Sequence, residues 1–240
     1  MSLSADAGAV IAGWHGKLPS LGDFASRRLE PDFVGAWDGW LAAGLSALQQ
    51  REPEHWLQHY LACPAWRFVL MPGLLPAPFD HQAFAGVLMP SVDRIGRYFP
   101  FTVIAPLPSL PHSETDLRTL LSWLHDVDDL AVDALQDDWS IERLEAELGQ
   151  CLRPGWQAPS GGASALLPMA GSVVAHAVAG SQAIVDLLAA AQVQALLQAG
   201  AGHAFWWADG TAGDRRLLVT RGLPKNEDLR LLFGAAPAAP

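Results

Sequence analysis

The chain has 240 residues, half of them hydrophobic, with ten tryptophans and a net charge of −10. That is enough apolar material for a sizeable core. An acidic chain whose only lysines are Lys17 and Lys225 suits neither a phosphate backbone nor an anionic lipid surface, so no nucleic acid and no membrane are expected among its partners. Every long apolar stretch is broken by Gln, Asp or Gly, so no membrane span is expected. No basic start with an apolar run and a cleavage site is visible either, so no signal peptide is expected. Cys63 and Cys151 are far apart and flanked by apolar residues, which reads as two reduced core thiols in a cytoplasmic protein.

In chain order, residues 1–8 are small and polar and are expected to fray. A first strand is predicted over 10–17, running into a Gly- and Pro-rich stretch with Lys17, Asp23, Arg27 and Arg28. Pro31 suits a helix start; Val34, Trp37, Leu41, Leu45 and Leu48 continue it at helical spacing. A short helix over 54–62 and a strand over 66–71 follow, the latter ended by Pro72-Gly73. Two strand-length apolar runs, 84–89 and 99–105, enclose Ser91, Asp93, Arg94, Arg97 and Tyr98. Pro90 and Pro100 lack the N–H of a central strand. The stretch therefore reads as two buried strands joined by a loop that presents charges at one sheet end.

Pro106, Pro108 and Pro111 mark a connector. Ser113 is placed to cap a helix with the stripe Leu117, Leu120, Leu121, Leu124 and Val127, opposite Asp116, Asp126, Asp129 and Asp133. Ser140 is placed to cap the next, along Ile141, Leu144, Leu148 and Cys151. A loop over 153–168, a strand over 172–178, a helix over 182–198, strands over 203–208 and 217–221 and a short helix over 227–233 complete the reading. The tail 234–240 is expected to lack order. Interleaved strands and helices without a repeat predict one α/β domain over 9–233. Its sheet would be covered by helices on both faces and be mixed, partly antiparallel.

Motifs for chemistry are missing. There is no G-x-x-x-x-G-K-[ST] loop and no G-x-S-x-G elbow. His55 and His59 stand one helical turn apart but lack the Glu of a zinc-protease motif, and no Cys is near. His125-Asp-Val-Asp-Asp129 lacks a partner set and reads as an acidic helix face. From Glu114 to Glu147 there are 11 acids and 2 bases, either a solvated face or an attraction for a basic partner. The densest polar grouping is Lys17, Asp23, Arg27, Asp93, Arg94, Arg97 and Tyr98. If the two loops meet at one sheet edge, opposed charges form an ion-pair cluster that either rigidifies a binding surface or simply closes the fold. It holds no activated nucleophile or general base, so recognition is expected, with no catalytic residue, metal or cofactor.

Three blocks carry a resemblance: Trp14-His-Gly-Lys-Leu-Pro-Ser-Leu-Gly-Asp-Phe24, Trp37-Asp-Gly-Trp-Leu41, and Ser91-Val-Asp-Arg-Ile-Gly-Arg-Tyr-Phe-Pro100. With Phe205-Trp-Trp207 and Gly222-Leu-Pro224, they resemble the TagF/ImpM family of accessory proteins of bacterial type VI secretion. The resemblance implies a three-layer α/β/α arrangement. It also implies a cytoplasmic, non-enzymatic repressor acting after translation through a forkhead-associated scaffold protein. Trp14, Phe24 and Tyr98 are candidate aromatic anchors of that contact. The alternatives are a hydrolase or phosphatase of the same pathway, using the His/Asp groups, and a structural component of the apparatus. The oligomeric state is left open.

Overall fold

Pro31 opens helix α1 (Pro31–Arg51) with its φ already set. Phe33, Trp37, Leu41, Gly44, Leu45 and Leu48 then recur on one face and are buried. The short α2 (Trp56–Leu61) follows Pro53. Ser113 caps α3 (Glu114–Gln136), its side chain accepting from the Asp116 N–H, and Ser140 caps α4 (Ile141–Gln150) by accepting from the Arg143 N–H. The computed structural model describes residues 10–111, 113–156, 192, 195–196, 198–209 and 215–234. The predicted strand over 172–178, most of the helix over 182–198, most of the loop over 153–168 and nearly all of both termini lie outside those residues.

The strands are β1 (Gly13–Lys17), β2 (Phe24–Arg27), β3 (Trp66–Leu70), β4 (Ala83–Met89), β5 (Phe101–Leu107), β6 (His203–Asp209) and β7 (Arg215–Arg221). They join in one sheet in the order β2-β1-β5-β4-β3-β6-β7. Every described pairing is antiparallel, where the sequence suggested a mixed sheet. Consecutive strands here either form hairpins or return beside an earlier strand from the opposite end, so none of these pairings is parallel. A final short helix, α5 (Arg230–Phe233), follows a 3₁₀ turn.

Helices cover both faces, giving three layers. Trp66, Phe68, Leu70, Phe84, Leu88, Ile104 and Trp206 face α1 and α5. Ala85, Val87, Met89, Phe101, Val103 and Ala105 face α3 and α4. Burial on both faces explains why β4 and β5 read as unbroken apolar runs and not as alternating ones. Two features depart from the sequence reading. Four residues read as loop form β2 on β1, Lys17 lying opposite Phe24. And β5 runs through Pro106, which pairs opposite Phe84 beyond the point where β1 ends against Ile104.

Trp14 is fully buried, its indole N–H bonded to Glu145 Oε1 at 2.6 Å. It therefore fills core and cannot anchor a partner. Both cysteines are free. Burial pushes the Cys63 thiol up to about 12 and the Cys151 thiol up to about 11, which keeps them protonated and unreactive. None of the described helices is long and apolar enough to cross a membrane.

Candidate functional site

Residues 91–99 form a small hairpin between β4 and β5. Phe99 N–H donates to the Ser91 carbonyl at 3.1 Å, Asp93 N–H to Arg97 O at 3.0 Å, and Gly96 N–H to Asp93 O at 2.9 Å. Gly96 has φ +83, a left-handed conformation that glycine adopts without strain. Ser91 is locked from two sides: its hydroxyl donates to Lys17 O at 2.7 Å, and its N–H donates to the Tyr60 hydroxyl at 2.9 Å.

Asp93 is the centre of the hairpin. Its side chain is fully buried, and so nearly is that of Lys17, whose Nζ lies 2.6 Å from Asp93 Oδ2. The same oxygen accepts from Arg97 Nε at 2.7 Å. Oδ1 accepts from the N–H groups of Ile95 (3.1 Å) and Arg97 (2.8 Å). Burial alone would raise this carboxyl. The bonds from Lys17, Arg97 and Ile95 outweigh that and hold it far below the usual carboxylate range. Lys17 Nζ also stands 4.3 Å from the centre of the Phe24 ring. Gly16, at φ +136, lets β1 approach the start of β5: a Cβ there would collide with the backbone at Pro100 and Phe101.

The two charged stretches thus meet, as the sequence suggested they could. Arg97 Nη2 donates to Gly22 O and lies 3.9 Å from Asp23 Oδ1, and Arg94 N–H donates to Leu21 O at 2.9 Å. The predicted residues divide by depth. Lys17 and Asp93 are interior and cannot touch a partner. Asp23, Arg27, Arg94 and Arg97 are exposed. Tyr98 is half-buried and packs edge-on against Trp56 and Tyr60 at 5.8 and 6.2 Å, part of the core on the α1 face. Phe24 is 43 % exposed, and Ile95, which the sequence reading passed over, is 65 % exposed.

Beside the cluster, His15 is buried between Phe24, stacked at 5.9 Å, and the edge of Phe99. Its Nε2 lies 3.2 Å from Asp38 Oδ1. A second ionic group was missed. Arg67 on β3 reaches Asp128 of α3 through Nε and Asp209 of β6 through Nη2, each at 2.7 Å. Asp128 is buried, and its Oδ1 has no partner among the described residues. Burial raises this carboxyl and Arg67 only partly offsets it. The signal was present: Leu124, Asp128 and Ala131 share one helix face.

His55 and His59 stack at 6.1 Å, and His59 Nδ1 lies 2.8 Å from Glu52 Oε2. His125 faces Asp129 at 3.6 Å on the exposed side of α3. No group of three or more metal-type ligands converges among the described residues.

A family model described as the TagF N-terminal domain, type VI secretion system-associated, matches residues 13–151, more than half the chain. The crystal structure of PA0076 from Pseudomonas aeruginosa PAO1 is 33 % identical in sequence. The match has a TM-score of 0.70 and covers 95 % of this chain and 97 % of that one. No curated protein matches the chain. The matched span contains β1 to β5 with α1 to α4, and hence the whole Asp93 cluster.

Proposed function

Because this chain belongs to the TagF family of type VI secretion-associated proteins, we propose that it is a non-enzymatic, cytoplasmic accessory protein. In this reading it represses the secretion system after translation by binding the forkhead-associated scaffold. The observation that supports it best is the rigid hairpin at residues 91–99. A buried carboxylate with four donors fixes a loop whose tip carries exposed arginines and an exposed isoleucine. A pre-ordered loop loses little conformational entropy on binding, which favours recognition. The tightly bonded Asp93 carries no proton to give near neutral pH and, with no free lone-pair direction toward solvent, is a poor general base.

The test is calorimetric titration of the scaffold into this protein at ~150 mM salt, where weak surface attraction is screened. Saturable one-to-one heat is the expected result. No heat with either the phosphorylated or the unphosphorylated scaffold refutes the scaffold as the target. Metal analysis of the purified protein bears on the enzyme alternative: stoichiometric metal would favour a hydrolase.

A further inference from the structure

We propose that the tip Arg94–Ile95, with the trough beside it, binds an acidic segment of a partner protein that offers one apolar side chain to Ile95. This deepens the partner-binding reading above and rests on it for biological context, while its chemistry stands on the surface itself.

Three observations converge. First, Ile95 stands at the apex of the hairpin, 65 % exposed, although both its own N–H and its neighbours are fixed by Asp93 and Leu21. A large apolar side chain held rigidly in water is what a contact anchor requires. Second, the Arg94 guanidinium has no bonding partner among the described residues. It lies against Gly22, 3.8 Å from where a Cβ on that glycine would sit. Gly22 lines a trough of about 570 Å³, formed by the run from Leu21 to Arg27 along the free edge of β2 and closed by Ile141. Phe24, at 43 % exposure, adds apolar surface there.

Third, the local charge opposes that of the molecule. Lys17 and Asp93 neutralise each other inside. At the surface remain Arg27, Arg94 and Arg97 against Asp23, on a chain of net charge −10. Arg27 acts partly on Glu142 and Glu145 of α4, and Arg97 bonds to Asp93 and Gly22, which leaves Arg94 as the cation of the tip that is open to a partner. A basic, partly apolar spot on an acidic protein selects an acidic partner there and repels others elsewhere. Strand addition is not the mode. The Phe24 N–H donates to Asp23 Oδ1, and the Ser26 carbonyl accepts from Arg27 Nη1, so the β2 edge is blunted by its own side chains.

The probe is a short capped peptide of glutamates around one leucine, titrated into the ¹⁵N-labelled full chain. Saturable shifts at residues 94–97 and 22–27 are expected. Affinity should fall about tenfold in Arg94→Glu and in Ile95→Asp, as loss of a charge or an apolar anchor predicts. Lys225→Glu, remote from the tip, should bind as the parent does. A peptide with glutamine in place of glutamate should bind far more weakly. Shifts elsewhere, no saturation, or equal binding by Arg94→Glu overturns the proposal. The Arg94 side chain has no bonding partner among the described residues, so that variant keeps the fold. The scaffold titration keeps the two readings apart. Peptide binding at the tip without scaffold binding refutes the named partner alone. Scaffold binding that both tip variants leave unchanged refutes the tip alone.

Discussion

Two buried aspartates, Asp93 in the hairpin between β4 and β5 and Asp128 on α3, each meet an arginine at 2.7 Å. Their acidities move in opposite directions: Asp93 is held far down, Asp128 is raised. Burial raises both. What differs is the count of donors. Asp93 collects an ammonium, a guanidinium and two backbone N–H groups. Asp128 has Arg67 on one oxygen, no described residue on the other, and Asp129 close by. Ion pairing alone therefore does not stabilise a buried carboxylate; full bonding of its lone pairs does. The first arrangement fixes a loop against water. The second fastens α3 to β3 and leaves a polar atom unsatisfied.

The contrast is sharpest in Lys17→Met. Asp93 would keep its burial and lose its ammonium, so the melting temperature at pH 7 should fall by roughly 10 °C, as for a broken buried pair in a chain of this size. Asp93 has a depressed folded-state pKa, so its contribution is present above the unfolded carboxylate value near 3.9 and is lost as pH falls toward the folded one. The gap between parent and variant, read by circular dichroism melting, should thus hold from neutral pH to about 5 and narrow in stronger acid.

At the second link, Arg67→Met should cost about 3 kcal/mol by leaving Asp128 buried and alone. The double variant Arg67→Met with Asp128→Leu should recover most of that, to within about 1 kcal/mol of the parent, since an apolar pair of similar volume replaces an incompletely bonded ionic one. Urea unfolding of the four proteins measures this directly. A double variant as unstable as the single one would mean that the Asp128 link is as well made as that of Asp93.

Asp128→Asn should change stability at pH 7 by less than about 1 kcal/mol. A raised carboxyl favours the folded state increasingly as pH falls through its folded pKa, so the parent gains stability there and the variant lacks that gain. Smallest of all is Arg94→Glu. Its side chain has no bonding partner among the described residues, so the unfolding free energy should stay within about 0.5 kcal/mol of the parent. Arg97→Glu is a poorer probe of binding, because Arg97 itself bonds to Asp93 and Gly22, and its loss would loosen the loop.

These two regions also differ in how far they could be read from sequence. The hairpin was legible because Pro90, Gly96 and Pro100 bracket it and its charges are crowded between two apolar runs. Its union with the first charged stretch could be posed but not decided, since Lys17 and Asp93 are 76 positions apart. Helices α1 and α3 were legible from periodicity and from the capping serine of α3. Strand β2 was not: Phe24-Ala-Ser-Arg27 has no alternation to show, and pairing with β1 makes it a strand. The Arg67 link spans 61 positions to Asp128 and 142 to Asp209, beyond any local pattern. Trp14, read as a candidate anchor, is core because β1 turns it toward α4, and Ile95, for which the sequence held no signal, is exposed because exposure at a turn is set by backbone geometry. The same turn that buries Asp93 turns Ile95 outward.

The central claim is that Asp93 holds the 91–99 loop rigid while its tip stays in water. Amide hydrogen exchange of Ile95 and Arg97 tests it most directly, because both N–H groups end on Asp93 Oδ1. Slow exchange of these two amides in the parent near neutral pH is predicted, with protection collapsing in Lys17→Met under conditions where β4 remains protected. Fast exchange of both in the parent, at the rate of an open loop, would contradict it.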